Sequence, residues 1–141
     1  MSTYYSVPTV TYETAARAVA IGLRHAEAAG VRAVVTVMDP SLVVVAVGRA
    51  DGAPPHSVET SRRKAITASS TRKPSAAIPE ENITLLEHGS GGLLTGIKGG
   101  VPLVFDGVHT GGLGIAGGSP EQDAEIAAAT LAELGTDKAE A

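Results

Sequence analysis

The chain has 141 residues, the size of one ordinary domain, and 43% of them are hydrophobic, enough for a sizeable core. The aromatics are only Tyr4, Tyr5, Tyr12 and Phe105, too few for a sheet that stacks bases, and a net charge of −4 has the wrong sign for gripping a phosphate backbone; both argue against nucleic acid as a partner. The chain has no cysteine, hence no disulfide, thiolate metal site or Cys nucleophile, and no apolar run of membrane-spanning length.

Residues 1–10 read as an N-terminal arm. They carry no basic segment followed by an apolar run, so no secretory leader is expected and the expected location is cytoplasmic. A helix is expected from Thr11, which can cap it, with Glu13 in its first turn. Ala15, Val19, Leu23 and Ala26 fall three to four apart and form its apolar stripe, and Gly30 suits a left-handed stop. Residues 31–38 and 42–47 are two apolar runs around Asp39-Pro40-Ser41, the pattern of a β-hairpin with strands partly buried on both faces.

A polar loop with Asp51-Gly52 and Pro54-Pro55 follows. A second helix is expected over residues 57–72, capped by Ser57 and stopped by Pro74, with Val58, Ala65 and Ala68 inward. Pro79-Glu80-Glu81 opens a short helix to His88. Residues 93–97, 101–105 and 108–116 read as three strands separated by Gly99-Gly100 and Asp106-Gly107. Ser119-Pro120-Glu121-Gln122 is a capping box that starts the last helix, which carries Ile126, Ala129 and Leu131 to about residue 134. Residues 135–141 are expected to fray. Short turns demand antiparallel pairing, so the expected fold is α+β: one domain over residues 11–134, with helices packed on a five-stranded antiparallel sheet.

Several segments together resemble the GlcG/HbpS-like haem-binding family, which also forms the C-terminal part of PduO-type proteins. They are the hairpin ending in Arg49-Ala50-Asp51-Gly52-Ala53, the run Lys64-Ala65-Ile66-Thr67-Ala68 after Ser57, and Gly99-Gly100-Val101-Pro102-Leu103. Asp106-Gly107, residues 111–118 and Gln122-Asp123 complete the pattern. The chain departs from it at Pro40-Ser41, where a Gly is usual, and at Ala50, where a Met is usual. The resemblance implies a profilin-like fold, self-association as an octamer or smaller oligomer, and haem binding in some members.

Three glycine motifs have plain structural explanations. Residues 112–117 have the spacing of a dinucleotide fingerprint but lie inside a strand, so their glycines instead admit a close neighbour. Gly117-Gly118-Ser119 precedes a helix whose own cap fills the anion site. His88-Gly89-Ser90-Gly91-Gly92 lacks the glycine two residues before Ser that a nucleophile elbow needs.

The four histidines show no zinc spacing, but a haem iron needs only one imidazole, and His56 and then His25 are the candidates. In the implied fold Arg49, Asp51 and Lys64 converge on one cleft beside residues 99–118, with Gly100 and Gly112 as further ligand contacts. Arg49 and Lys64 would clamp the carboxylates of a small anionic molecule or of haem. Three functions stay open. One is a small-molecule binder that holds haem or a similar anion. Another is a cofactor-independent lyase, isomerase or cyclase with Lys64 and Asp51 (or Asp123) as catalytic groups. The third is an oligomeric accessory protein.

Overall fold

The computed structural model describes residues 1–138. Helix α1 (Tyr12–Ala28) starts as expected, with the Thr11 hydroxyl accepting from the Thr14 amide, and Gly30 beyond its end has φ 73°. Strands β1 (Val34–Met38) and β2 (Val44–Arg49) form the antiparallel hairpin. Its turn is held by Asp39, whose Oδ1 accepts from the Ser41 and Val43 amides. Helix α2 (Ser57–Thr71), a single 3₁₀ turn (Ser75–Ala77) and α3 (Glu80–Gly89) follow. Then come β3 (Gly100–Phe105), β4 (Val108–Ala116) and α4 (Pro120–Leu134).

The sheet has four antiparallel strands in the order β2-β1-β4-β3, one fewer than expected. Residues 93–97 run as irregular chain, because side chains satisfy their backbone in place of a ladder. The Thr95 amide donates to Thr67 Oγ1 at 2.9 Å, and the Ile97 carbonyl accepts from Ser75 Oγ at 2.7 Å. A second correction concerns the hairpin. β1 is central and wholly buried, but β2 is an edge strand with Val44 and Val47 exposed, so only β1 is covered on both faces.

The molecule has three layers. On one face α1 and α4 pack over Val35, Val37, Leu103, Leu113 and Ile115, the main core. On the other α2 lies across β4, β1 and β3, above Thr36 and Met38. α2 approaches β4 more closely than side chains allow. A Cβ on Gly114 would overlap the Ser61 carbonyl oxygen, and one on Gly100 the Lys64 carbonyl oxygen. The glycines read as admitting a neighbour therefore seat a helix of this same chain.

Two ends differ from expectation. Val58 is exposed, not inward, while Ala65 and Ala68 are buried as expected. The tail expected to fray is docked as far as Asp137. Its amide donates to the Val104 carbonyl and its carboxylate accepts from the Asp106 and Gly107 amides, at 3.1 and 2.7 Å. Residues 139–141 lie outside the described residues.

His109 on β4 faces the C-terminal half of α2. Its Nε2 lies 2.9 Å from the Ser69 carbonyl, which requires an N–H there, and leaves a buried Nδ1 with no partner among the described residues. Burial lowers its pKa from the ordinary 6.5, and Arg72 adds repulsion against the bond to Ser69.

Two measurements check these contacts. Gly114→Ala should lower the unfolding free energy by about 2 kcal/mol or more in denaturant titrations. Gly89→Ala, whose Cβ meets nothing within 4 Å, should stay within about 0.5 kcal/mol of the parent. For His109, the unfolded chain takes up the proton more readily than the fold. Stability should therefore be intact above pH 6.5 and decline as the pH falls below it, and His109→Gln should flatten that decline.

Candidate functional site

The N-terminal ends of α2 and α4 meet the C-terminal end of β4 at a cleft of about 370 Å³. Its polar lining is His56, Ser57, Thr60, Lys64 and Asp123, and its apolar lining includes Pro54, Ile97, Ala116 and Pro120. The helical repeat explains the α2 contribution: Ser57, Thr60 and Lys64 are spaced three and four apart and share one face.

Lys64 is 1% exposed, in a position where a long cation is almost never found without partners. Its Nζ donates to the Ile115 carbonyl at 2.8 Å and to Asp123 Oδ2 at 2.9 Å. Asp123, also buried, accepts from the Gly118 amide through Oδ1 at 2.9 Å. Burial pushes the Lys64 pKa below its usual value, and the bond and charge of Asp123 oppose that shift. The pair ties α2 to the end of β4 and to the first turn of α4. The close seating of α2 on glycines lets a lysine from its middle reach that far.

The three main helix starts around this sheet differ. α4 has the full capping box expected of it, with Ser119 Oγ accepting from the Gln122 amide and Gln122 accepting from the Ser119 amide. α1 is capped by Thr11. At α2 the capping residue is His56, in helical conformation and with no side-chain cap bond, so Ser57 is not the cap expected from sequence. A turn closes that end through the backbone instead. The Ser57 amide donates to the Pro54 carbonyl at 2.9 Å, and the Glu59 and Thr60 amides donate to the His56 carbonyl, each at 3.1 Å. Ser57 itself, 1% exposed, sits inside the first turn and lines the cleft.

The structure brings together only part of the set expected from sequence. Lys64 and His56 share the cleft, His56 as an exposed imidazole at its rim. Arg49 does not line it. It is exposed, pairs with Val34 across β2 and β1, and stands two strands from Ala116, about 10 Å at ordinary strand spacing. Asp51 lines a different, open groove of about 800 Å³ beside the end of α1, with Arg24, Glu27 and Arg32. No polar group of that groove is buried, and Arg24 is already paired with Glu133. The convergence of Arg49 and Asp51 with Lys64 therefore fails; Asp123 holds the place expected for Asp51.

Gly100 and Gly112, expected as ligand contacts, lie under α2 and face its backbone. His25 is on the α1–α4 seam, 3.0 Å from Glu133 Oε1 and away from the cleft. Arg62 and Arg63 both engage Glu59, and these guanidiniums, Arg62 foremost, hold its pKa down to about 2. Arg62 and Arg63 are thus paired within α2 itself. Among the described residues no three His, Asp or Glu side chains gather as a metal site, and no helix is long and apolar enough to cross a membrane.

The comparisons with known proteins agree with this architecture. The family model for haem-degrading HbpS-like proteins matches residues 10–132. The chain belongs to the HbpS-like family. Among solved structures, the PduOC:haem complex is 26% identical with a TM-score of 0.86, over 94% of this chain and 99% of that one. HbpS itself is 29% identical with a TM-score of 0.85, over 94% and 95%. Protein ORFY of Klebsiella pneumoniae is 25% identical with a TM-score of 0.87, over 98% and 99%. Among curated protein sequences there is no match.

The Lys64–Asp123 pair of this HbpS-like chain can be tested as a unit. Lys64→Met or Asp123→Leu alone leaves a buried group unpaired and should cost about 3–5 kcal/mol in urea unfolding. The double variant Lys64→Met/Asp123→Leu should recover most of that loss. Strictly additive costs would mean that the two do not act together.

Proposed function

We propose that this HbpS-like protein binds a small carboxylate-bearing molecule in the cleft between the starts of α2 and α4. The observation that carries the reading is the buried Lys64 ammonium in the cleft wall, where the positive ends of two helices also converge. The start of α2, which no side chain caps, favours an anion. Family membership and the PduOC:haem neighbour support haem as one such ligand.

The residues present fit a haem held by its edge. A porphyrin ring is wider than a cleft of about 370 Å³, but a propionate can enter it, and the exposed His56 offers an imidazole outside. Bound haem would supply redox and oxygen chemistry. The chain's own part would be to hold the propionate and orient the ring.

Binding is favoured over turnover. Lowering of the Lys64 pKa suits proton exchange, which supports a cofactor-independent lyase, isomerase or cyclase as the second reading. Against it, the same amine is held by two hydrogen bonds and is 1% exposed. Self-association is also part of the proposal. Tyr4, Tyr5 and Leu85 are exposed, and α3 has no buried residue.

Hemin titration followed at the Soret band, together with thermal-shift measurements on a panel of organic acids, tests the reading. At least one of these should bind, and Thr60→Trp, which fills the cleft, should abolish binding. His56→Ala should weaken hemin alone. Binding untouched by Thr60→Trp would move the ligand elsewhere.

A further inference from the structure

Two buried donors point into the same cleft. The Lys64 ammonium carries three N–H groups, and among the described residues two are taken, by Ile115 and Asp123. Ser57 is 1% exposed and lines the cleft, yet its hydroxyl bonds to no side chain or backbone group among the described residues. The backbone turn from Pro54 to His56 has closed the start of α2 without it. Among the described residues the one sealed side-chain polar atom without a partner is His109 Nδ1, so the Ser57 hydroxyl is reachable from the cleft and open to a ligand oxygen.

Charge narrows the class of ligand. Asp123 already neutralises Lys64, so the floor of the cleft offers hydrogen bonds with no net charge. The start of α4 is already occupied by its capping box and by the Gly118–Asp123 bond, so what remains positive is the partial charge at the start of α2, about half an elementary charge. At the rim, Lys98 and Glu121 face one another at 3.8 Å and add no net charge. The site therefore balances at most one negative charge, not two or three.

We infer that the cleft selects a short monocarboxylate and that Ser57 is its specificity-determining contact, one carboxylate oxygen taking the Ser57 hydroxyl and the free Lys64 N–H. This inference rests on the cleft being an anion site and deepens that reading. A propionate arm of a larger molecule and a free short-chain acid share this chemistry.

The test measures acetate, propionate, succinate and citrate binding by titration NMR on the intact chain, with hemin in parallel. Acetate and propionate should bind at least tenfold more tightly than succinate or citrate. Ser57→Ala should weaken them on the order of tenfold or more, as expected for a lost bond to a charged group. Ser70→Ala, exposed on the same helix, should change nothing. Equal binding of citrate, or full binding by Ser57→Ala, overturns the inference. Binding of hemin alone overturns it while leaving the broader proposal standing; binding of none of these probes removes both. A Ser57→Ala protein that does not fold is replaced by Ser57→Thr, whose added methyl occupies the cleft and should weaken acetate to the same degree. Undiminished acetate binding there overturns the inference.

Discussion

The buried bond between Lys64 and Asp123 is the constraint around which the rest is arranged. A lone ammonium at that depth would be prohibitively costly, and even a paired one gains little net stability unless every polar atom is satisfied. Here the ammonium also reaches the Ile115 carbonyl, and the carboxylate also takes the Gly118 amide. These bonds require α2 to lie against β4 at backbone distance, and Gly100, Gly112 and Gly114 make that approach sterically open. The same bonds fix the turn from Ala116 to Ser119 and the first turn of α4. One ion pair thus sets the spacing between the two helix starts, and that spacing is the cleft.

Much of the architecture was legible in local pattern. The α1 cap, the capping box of α4, the first hairpin and the strands β3 and β4 follow from periodicity and turn residues, each of which acts over a few positions. The failures have two causes: a deciding partner distant in sequence, and a local turn that closes a helix start through the backbone. Residues 93–97 look like a strand, yet Thr67 and Ser75, over 20 residues away, satisfy their backbone. Ser57 looks like a cap because it precedes a helical pattern, but the Pro54 carbonyl has already taken up its amide.

The candidate site shows the same limit. Lys64 stands out in sequence as a cation in a helix of small residues, and the structure buries it in the cleft wall. Arg49 and Asp51 are grouped with it because the implied fold is expected to bring the end of the first hairpin to α2, whereas a strand end and a loop diverge in space. Asp123 lies 59 residues from Lys64 and was only one alternative for its partner. A sharper signal was present in α2 itself. Ser57, Ser61 and Lys64 at intervals of four and three make a polar stripe on the face that also carries Ala65 and Ala68. A polar stripe on a buried face needs partners, and there it has Thr36, Asp123 and the open cleft.

Stability and binding are consequently linked through the same atoms. A ligand that binds the folded cleft and not the unfolded chain stabilises the fold by an amount set by its concentration relative to its Kd. In this protein that stabilisation would be felt where α2 and α4 are tied, because the ligand would complete the bonds of Lys64 and Ser57. The exposed arm is remote from that tie, anchored near Val10, whose amide bonds to the Thr110 carbonyl at the far end of β4. Occupancy of the cleft and assembly through that arm would therefore draw on separate parts of the molecule. The cleft could change its ligand without disturbing the surfaces available for self-association, provided that the lysine at its floor kept its carboxylate.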